Sequence, residues 1–569
     1  MKNMQGSDML KLVECVPNFS EGRNKDVIQF ITNEIEGTEG VKLLDVDPGA
    51  DTNRTVVTFI GSPEGVKEAA FRAIKKAAEV INMREHKGAH PRMGATDVCP
   101  FVPVSGVTMA ECVEIARDLG KRVADELNIS VYLYEEAATT PERRSLATIR
   151  SGEYEGLAEK LNDPNWKPDF GEPVFNEKSG ATVIGAREFL IAYNVNLNTK
   201  DKKLAHDIAL SVRESGRNKR DADGKFVRDE HGVPVMEPGL LPATRAVGWY
   251  IDTYGLAQVS INFINYKITP PHVAFDVICS EANKRGLRVT GSELVGLIPL
   301  QAMLDAGRYY LLKQGKSPGV SEEELVESAV VSLGLRDLTP FDPAKKIIEY
   351  QVRELKGPLV KKDLRDFSNE LASESPAPGG GSVAALAGAL GAALSTMVAN
   401  LTVGKKGYES QWEPMRNVAV RGQELKDALL RAVDEDTKAF NTLMAAFGLP
   451  KKTGDQASQR ESAIQSATKG ACLVPLSVMK NSLIVMELAR TVALHGNENA
   501  ASDAGVAALM ARAAVHGAGL NVKINLPGIT DASFVAEKIA EVSSLLERAQ
   551  QSQEDILAIV TRKIESKQA

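Results

Sequence analysis

Val41-Lys-Leu-Leu-Asp-Val-Asp47, Thr55-Val-Val-Thr-Phe-Ile60 and residues 63–81 read as strand, strand and helix in close succession. The two strands are short, rich in branched residues, and joined by the turn-forming stretch Pro48-Gly-Ala-Asp-Thr-Asn-Arg54. In the first of them, period-two alternation places Val41, Leu43, Asp45 and Asp47 on one face. The pattern continues outward, with a strand at 97–104, a helix at 109–127 and a strand at 130–134. Such alternation predicts an α/β (α+β) layer structure. A Pro-rich seam at 162–173 lies within it. A second α/β run follows: strand 189–196, helix 200–214, strand 256–265, helix 270–285 and a strand near Val289. Between its parts, residues 216–241 are rich in charge, Gly and Pro and read as an exposed loop or hairpin. No short internal repeat stands out.

Beyond residue 361 the β signal disappears. Helices are predicted at 362–372, 382–402, 412–447, 456–494, 500–515 and 530–567, an all-α up-and-down bundle. The expected division is therefore 1–180 and 181–340 as two α/β subdomains, 341–361 as linker and 362–569 as the helical domain. Residues 383–402 carry no charge and match a bilayer span in length. Ala, Gly, Ser395, Thr396 and Asn400 dominate the stretch, so it is expected to be a buried bundle helix and no membrane partner is expected. The net charge of −7 excludes generic nucleic-acid binding, which requires a basic footprint. Five scattered cysteines without a CxxC pair signal neither a disulfide framework nor a zinc site. With a polar start at residues 1–8, they point to a reducing cytoplasm.

The densest chemistry is Arg84-Glu-His-Lys-Gly-Ala-His-Pro-Arg-Met-Gly94. HxxxH on a helix would make a metal pair, but Gly88 and Pro91 oppose a helix through both histidines and no third ligand is evident. A histidine fixed in a Gly/Pro-shaped loop suits proton transfer near neutral pH; two solvated loop histidines are the plain alternative. Asp47, at a strand terminus, would orient such an imidazole or hold a cation, or merely serve the turn. Asn18-Phe-Ser-Glu-Gly22 lacks the first glycine of a nucleophile elbow, which argues against Ser20 as nucleophile.

Leu12-Val-Glu-Cys-Val-Pro-Asn-Phe-Ser-Glu-Gly22, Leu44-Asp-Val-Asp47, Thr52-Asn-Arg-Thr55, His90-Pro-Arg-Met-Gly94 and Asp97-Val-Cys-Pro-Phe101 together resemble the glutamate formimidoyltransferase family. The resemblance covers about 10–340. It implies transfer of a formimino group from N-formimino-L-glutamate to tetrahydrofolate, with His90 as the catalytic histidine and Asp47 as its nearby aspartate. The family's folate-binding stretch falls on Gly171-Glu172-Pro173-Val174-Phe175-Asn176-Glu177-Lys178-Ser179-Gly180. The insertion at 216–241 departs from the animal members. The reaction needs one base that removes a proton from folate N5 and returns one to the departing glutamate nitrogen, a role for His90. Arg54 and Arg92 are candidate carboxylate clamps, each equally able to be a surface arginine.

In the helical part, Ser375-Pro-Ala-Pro-Gly-Gly-Gly-Ser382 precedes a helix but lacks the strand of a dinucleotide fold and the lysine of a P-loop, leaving an anion-binding turn or a tight helix entry. Leu429, Val433, Asp436, Phe440, Leu443 and Phe447 form one helical stripe, while Asp434 points elsewhere. A carboxylate in an apolar stripe either has a raised pKa suited to acid–base work or is paired to Lys or Arg across the bundle. Pro376-Ala-Pro-Gly-Gly-Gly-Ser-Val-Ala384, Val433-Asp-Glu-Asp-Thr-Lys-Ala-Phe440 and Asn525-Leu-Pro-Gly-Ile-Thr-Asp-Ala532 resemble formimidoyltetrahydrofolate cyclodeaminases, from about residue 363 onward. That resemblance assigns Asp436 as catalytic aspartate in closing the folate to 5,10-methenyltetrahydrofolate with loss of ammonia. The two resemblances stand in the order of the fused formimidoyltransferase-cyclodeaminase family. They imply a homo-oligomer with tetrahydrofolate as co-substrate, and no metal. Lys405-Lys406 is a candidate contact for a folate polyglutamate tail between the two sites, or a solvated lysine pair.

Overall fold

The computed structural model describes residues 11–50, 52–88, 90–352 and 357–566. The 1–8 start and part of the expected linker 341–361 therefore lie outside the described residues. The chain forms two compact units, 1–302 with 333–352, and 303–332 with 353–569.

The first unit opens with a seven-stranded mixed sheet. Strands β1 (Leu12–Cys15) and β2 (Asn18–Phe19) run end to end, interrupted at Val16-Pro17 because proline donates no ladder hydrogen bond. Both lie between β4 (Arg54–Gly61) and β5 (Thr96–Ser105), antiparallel to each. β3 (Val41–Gly49) pairs antiparallel with β4 at one edge. Beyond β5 come β7 (Thr182–Ala186) and β6 (Val131–Glu135), both joined in parallel.

Helices α1 (Lys25–Glu36), α2 (Pro63–Val80) and α3 (Met109–Leu127) place Ile31, Ile35, Ala73, Ile74, Leu119 and Val123 against this sheet. β3 departs from simple alternation. A bulge pairs Leu43 with Phe59 and Asp45 with Thr58, leaving Leu44 without an opposite residue. Val46 thereby joins Val41 and Leu43 against the core, and Asp45 and Asp47 turn to the exposed side.

A four-stranded antiparallel sheet completes this unit, in the order β11 (Thr244–Ile251), β12 (Leu256–Phe263), β8 (Ile191–Leu197), β13 (Val289–Val295). α4 (Lys202–Val212) and α5 (Pro271–Lys284) accompany it. The insertion begins and ends in the ribbon β9 (Arg217–Asn218) and β10 (Met236–Glu237). Its middle holds a repeat that the sequence reading passed over. Arg220-Asp221 and Arg228-Asp229 begin two turns of the same construction. Asp221 Oδ1 accepts from the amides of Asp223 and Lys225, and Asp229 Oδ1 from those of His231 and Val233. Arg220 donates to Gly224 O and Arg228 to Gly232 O, with both glycines at φ +79°. Only the Arg, Asp, Gly and final Val (Val227, Val235) recur, so residue-type similarity alone is weak.

The second unit is helical. α6 (Leu300–Lys313) contributes most of its length to it, followed by α7 (Glu322–Ser332). Gly319, between them, lies so close to Ala419 that an added Cβ would stand 2.3 Å from the alanine Cβ, and its carbonyl accepts from Asn400 and Gln423. The bundle proper comprises α8 (Leu364–Leu371), α9 (Gly380–Asn400), α10 (Trp412–Phe447), α11 (Gly454–His495), α12 (Ala501–Asn525) and α13 (Ala532–Glu565). α9 and α11 are long and apolar enough to span a membrane by length and composition. In α9, Ala385, Gly388, Ala389, Gly391 and Ala392 are buried, which matches the expected bundle helix.

α12 runs ten residues past the expected end at 515. Gly517 and Gly519 read as helix breakers, yet they sit where Ala384 and the side chains of Met479 and Leu546 approach closely. Tight packing overrides glycine's poor helix propensity there. A Cβ at Gly388 would meet Ser482 Oγ at 2.7 Å and Leu429 Cδ1 at 3.2 Å. Gly388→Ala is therefore expected to destabilise the helical unit by about 1–3 kcal/mol through overpacking, read as a lower urea midpoint of its circular-dichroism transition.

Candidate active sites

The loop between α2 and β5 carries both histidines of the motif and is pinned at two places. A Cβ at Gly88 would lie 2.2 Å from Thr52 O, and one at Gly94 2.3 Å from Ala181 O. Gly94 and Gly180 also form an isolated antiparallel bridge. Asn53, buried and in the left-handed region at φ 48°, accepts from Gly22 N at 3.0 Å and donates to Lys87 O at 3.0 Å. One amide thus joins the 12–22 motif, the β3–β4 turn and the histidine loop. Ser20 is buried and donates to Gly94 O at 2.7 Å, so its hydroxyl is structural.

The two histidines differ in role. His86 donates from Nε2 to Asn53 O at 2.8 Å and accepts from Arg92 Nε at Nδ1 at 3.2 Å, leaving no ring nitrogen for chemistry. His90 Nε2 lies 2.6 Å from Arg54 Nη1. Because guanidinium only donates, Nε2 is an acceptor and the neutral ring carries its proton on Nδ1. Burial, then the positive charges of Arg54 and Arg150, hold His90 below the usual imidazole range against the opposing pull of Asp97. His90 is therefore a neutral base at neutral pH.

Arg92 corrects one expectation. Its guanidinium is buried and hydrogen-bonded to Glu155 at 2.7 and 2.8 Å and to Glu153 at 3.1 Å, so it is not a free carboxylate clamp. It lines an open hollow with Lys87, Gly88, Gly152, Glu153 and Glu155. Arg54 is half-buried and forms no ion pair among the described residues. Burial lowers its pKa, as does Arg150, while Asp97 and Asp47 raise it. Asp47 is exposed and influences the site through that charge on Arg54, not through a hydrogen bond to His90. Asp97 and Arg150 are parts of the site that the sequence reading left out. Asp97 is fully buried, accepts from Met93 N at 3.0 Å and pairs with Arg150. A carboxylate inside an otherwise apolar strand was the available signal for Asp97; nothing local marked Arg150.

The stretch 171–180 leads into β7. Gly171, Glu172, Pro173 and Val174 are exposed, while Ser179 and Gly180 are buried against the histidine loop, where Ala95 N donates to Ser179 O at 2.8 Å. Phe175 packs beside Tyr154, their ring centroids 5.4 Å apart. Asn176 Nδ2 donates to Asn128 O, Glu177 pairs with Arg84, and Lys178 Nζ donates to Glu79 O.

In the helical unit, Asp436 is half-buried on the inner stripe, although Phe447 at the stripe's far end is exposed. Its carboxylate lies against the entry turn of α9, where a Cβ on Gly381 would stand 2.1 Å from Oδ1. Ser382 Oγ donates to Val433 O at 2.8 Å and reaches Asp436 Oδ2 at 3.3 Å. Among the described residues no Lys or Arg pairs with Asp436, which removes the cross-bundle ion pair as an account of it. Burial raises its pKa, opposed by Ser382's hydroxyl and amide. Asp434 instead accepts from the amides of Leu359 and Val360. Lys405 is tied to Asn497 and lies over Tyr408, past the opposite end of α9. At 1.5 Å per residue that is about 30 Å from the glycine turn, so Lys405-Lys406 does not line the Asp436 site. Among the described residues no cluster of three His, Cys, Asp or Glu is placed to hold a metal ion.

Fold and sites define a two-site enzyme, a histidine-centred α/β transferase joined to a helical unit built around one carboxylate. Family models agree in order. One described as the formiminotransferase domain, N-terminal subdomain, matches residues 12–187. A formiminotransferase domain matches 192–353, and formiminotransferase-cyclodeaminase matches 363–544. The chain is 47% identical over 560 residues to the formimidoyltransferase-cyclodeaminase of Gallus gallus, covering 98% of this chain and 100% of that protein. The glutamate formimidoyltransferase of Streptococcus pyogenes serotype M1 is 42% identical over 303 residues, 53% of this chain and 94% of its own length. A methenyltetrahydrofolate cyclohydrolase of Methylorubrum extorquens is 41% identical over 201 residues, 35% of this chain and 97% of its own. This chain belongs to the formimidoyltransferase-cyclodeaminase family.

Ser382 holds the Asp436 pKa down, so its removal must raise it. In Ser382→Ala, the limb of the helical unit's pH–rate profile that titrates Asp436 is expected to move to higher pH, with the other limb unchanged.

Proposed function

We propose that the α/β unit transfers the formimino group of N-formimino-L-glutamate to tetrahydrofolate, releasing L-glutamate. The helical unit then converts 5-formimidoyltetrahydrofolate to 5,10-methenyltetrahydrofolate and ammonia. The observation that carries this reading is the match along the whole chain, joined to a neutral His90 beside an arginine that forms no ion pair among the described residues. His90 takes the proton released as folate N5 attacks the amidine carbon, then returns it to the departing glutamate nitrogen. Arg54 receives a donor carboxylate. Asp47 tunes the charge around it, and the exposed part of 171–180 contacts folate. Asp436, with its raised pKa, protonates the leaving nitrogen as N10 closes on the formimino carbon.

The folate is polyglutamylated and the active form is a homo-oligomer. The enzyme acts in the cytoplasm, in histidine degradation and one-carbon metabolism. The relative named methenyltetrahydrofolate cyclohydrolase favours a second reading of the helical unit, hydrolysis of the methenyl bridge. Methenyl absorbance and ammonia release from protein, tetrahydrofolate and N-formimino-L-glutamate decide between active enzyme and inert folate-binding scaffold. Replacing the donor with a formyl compound tests donor choice, and supplying methenyltetrahydrofolate alone tests hydrolysis. His90→Asn is expected to reduce transfer at least about a hundredfold while cyclodeamination of supplied 5-formimidoyltetrahydrofolate continues; Asp436→Asn is expected to do the reverse.

A further inference from the structure

Three arginines surround the histidine loop, and their partners differ in one respect. Arg92 is held by Glu155 and Glu153, and Arg150 by the buried Asp97. Arg54 has no carboxylate partner among the described residues, and its Nε is buried without a hydrogen bond. Its Nη1 donates instead to the neutral ring of His90, at 2.6 Å. A half-buried guanidinium whose Nε–H is buried and unsatisfied carries a cost, and a bidentate anion relieves that cost best. The contact also has a chemical consequence. Arg54 donates into Nε2, the only lone pair a neutral Nδ1–H imidazole can use to accept a proton. With Arg54 in place, His90 is capped.

We infer that Arg54 is a reversible cap on the catalytic base, withdrawn when a carboxylate of the donor substrate takes its guanidinium. The inference rests on the formimino-transfer reading and adds to it an order of events. The donor's carboxylate moves Arg54 off Nε2, and the freed lone pair then accepts the folate N5 proton. No bond to carbon is made in this step; one hydrogen bond, Nη1–H to Nε2, is exchanged for N–H to carboxylate bonds. The neighbouring pair supports the contrast. Arg92 donates to His86 in a similar way, but its two glutamates hold it there, and His86 stays committed on both nitrogens. Donor binding also removes a positive charge's hold on the imidazolium, so His90 becomes more basic in the complex than in the free enzyme.

The test uses the full-length chain with 15N-labelled histidine and L-glutamate as probe. Saturating L-glutamate is expected to break the Arg54 signature at Nε2 and move the His90 titration to higher pH. The acid limb of kcat at saturating donor is likewise expected above that of kcat/KM for the donor. In Arg54→Ala, the free protein is expected to show the higher His90 titration already, the two acid limbs are expected to merge, and KM for the donor to rise about tenfold or more. Arg54→Lys retains the charge without the fork and is expected to keep part of the titration difference. Cyclodeamination of supplied 5-formimidoyltetrahydrofolate, unchanged in both variants, shows the helical unit intact, and an unmoved His86 signal shows the α/β unit folded. If L-glutamate fails to bind, or binds and leaves the His90 titration and Nε2 contact unmoved, the cap is refuted. Absence of transfer by the unaltered protein, with the L-glutamate response intact, overturns the function reading and not the cap.

Discussion

The transferase site depends on backbone segments crossing more closely than a Cβ permits. Gly88 lies on the β3–β4 turn and Gly94 on the Gly180–Ala181 segment, and between these crossings His90 has little freedom to move away from Arg54. Asn53 reinforces the first crossing by serving two backbone groups from a left-handed position. Side chains on strands and helices inherit their positions from ladders; a loop side chain needs such pins instead. The glycines of the motif are thus positional rather than chemical. They fix where the imidazole stands, and the surrounding arginines decide its basicity.

The helical unit solves a similar problem with different means. There the rigid element is α10, and the glycine-rich entry to α9 is the part brought in close. Gly381 admits the Asp436 carboxylate against its backbone, and Ser382 bonds both that carboxylate and the α10 backbone. A carboxylate kept half-buried without a cation retains a raised pKa because only neutral donors meet it. The two sites are opposite in design. One lowers the pKa of a histidine by surrounding it with positive charge and apolar material; the other raises that of an aspartate by burial without a counter-ion.

Much of this was legible in the sequence because it is periodic or local. The 3.6-residue stripe through Leu429, Val433 and Asp436 identified the inward carboxylate, and alternation identified β3 and β4. What was not legible came from distant segments. Glu155 reaches Arg92 across 63 positions and Arg150 reaches Asp97 across 53, so no local pattern separates the held arginines from the unheld one. The bulge in β3 was hidden for a different reason. A skipped residue reverses the facing of everything after it, and Asp45 and Asp47 looked inward only while the strand was taken as regular. The length of α12 was missed because glycines that weaken an isolated helix also allow neighbouring helices to approach closely.

The doubled turn of the insertion has a consequence for how that region tolerates change in length. Arg220 and Arg228 begin equivalent turns eight residues apart, and Val227 N donates to Lys219 O, Val235 N to Val227 O and Lys219 N to Val235 O, so the two turns share one closed set of backbone bonds. Loss or gain of part of a turn would leave some of those backbone groups without partners. The insertion therefore resists change in length inside its two turns, while its base, where Asn218 pairs with Met236, lies outside them.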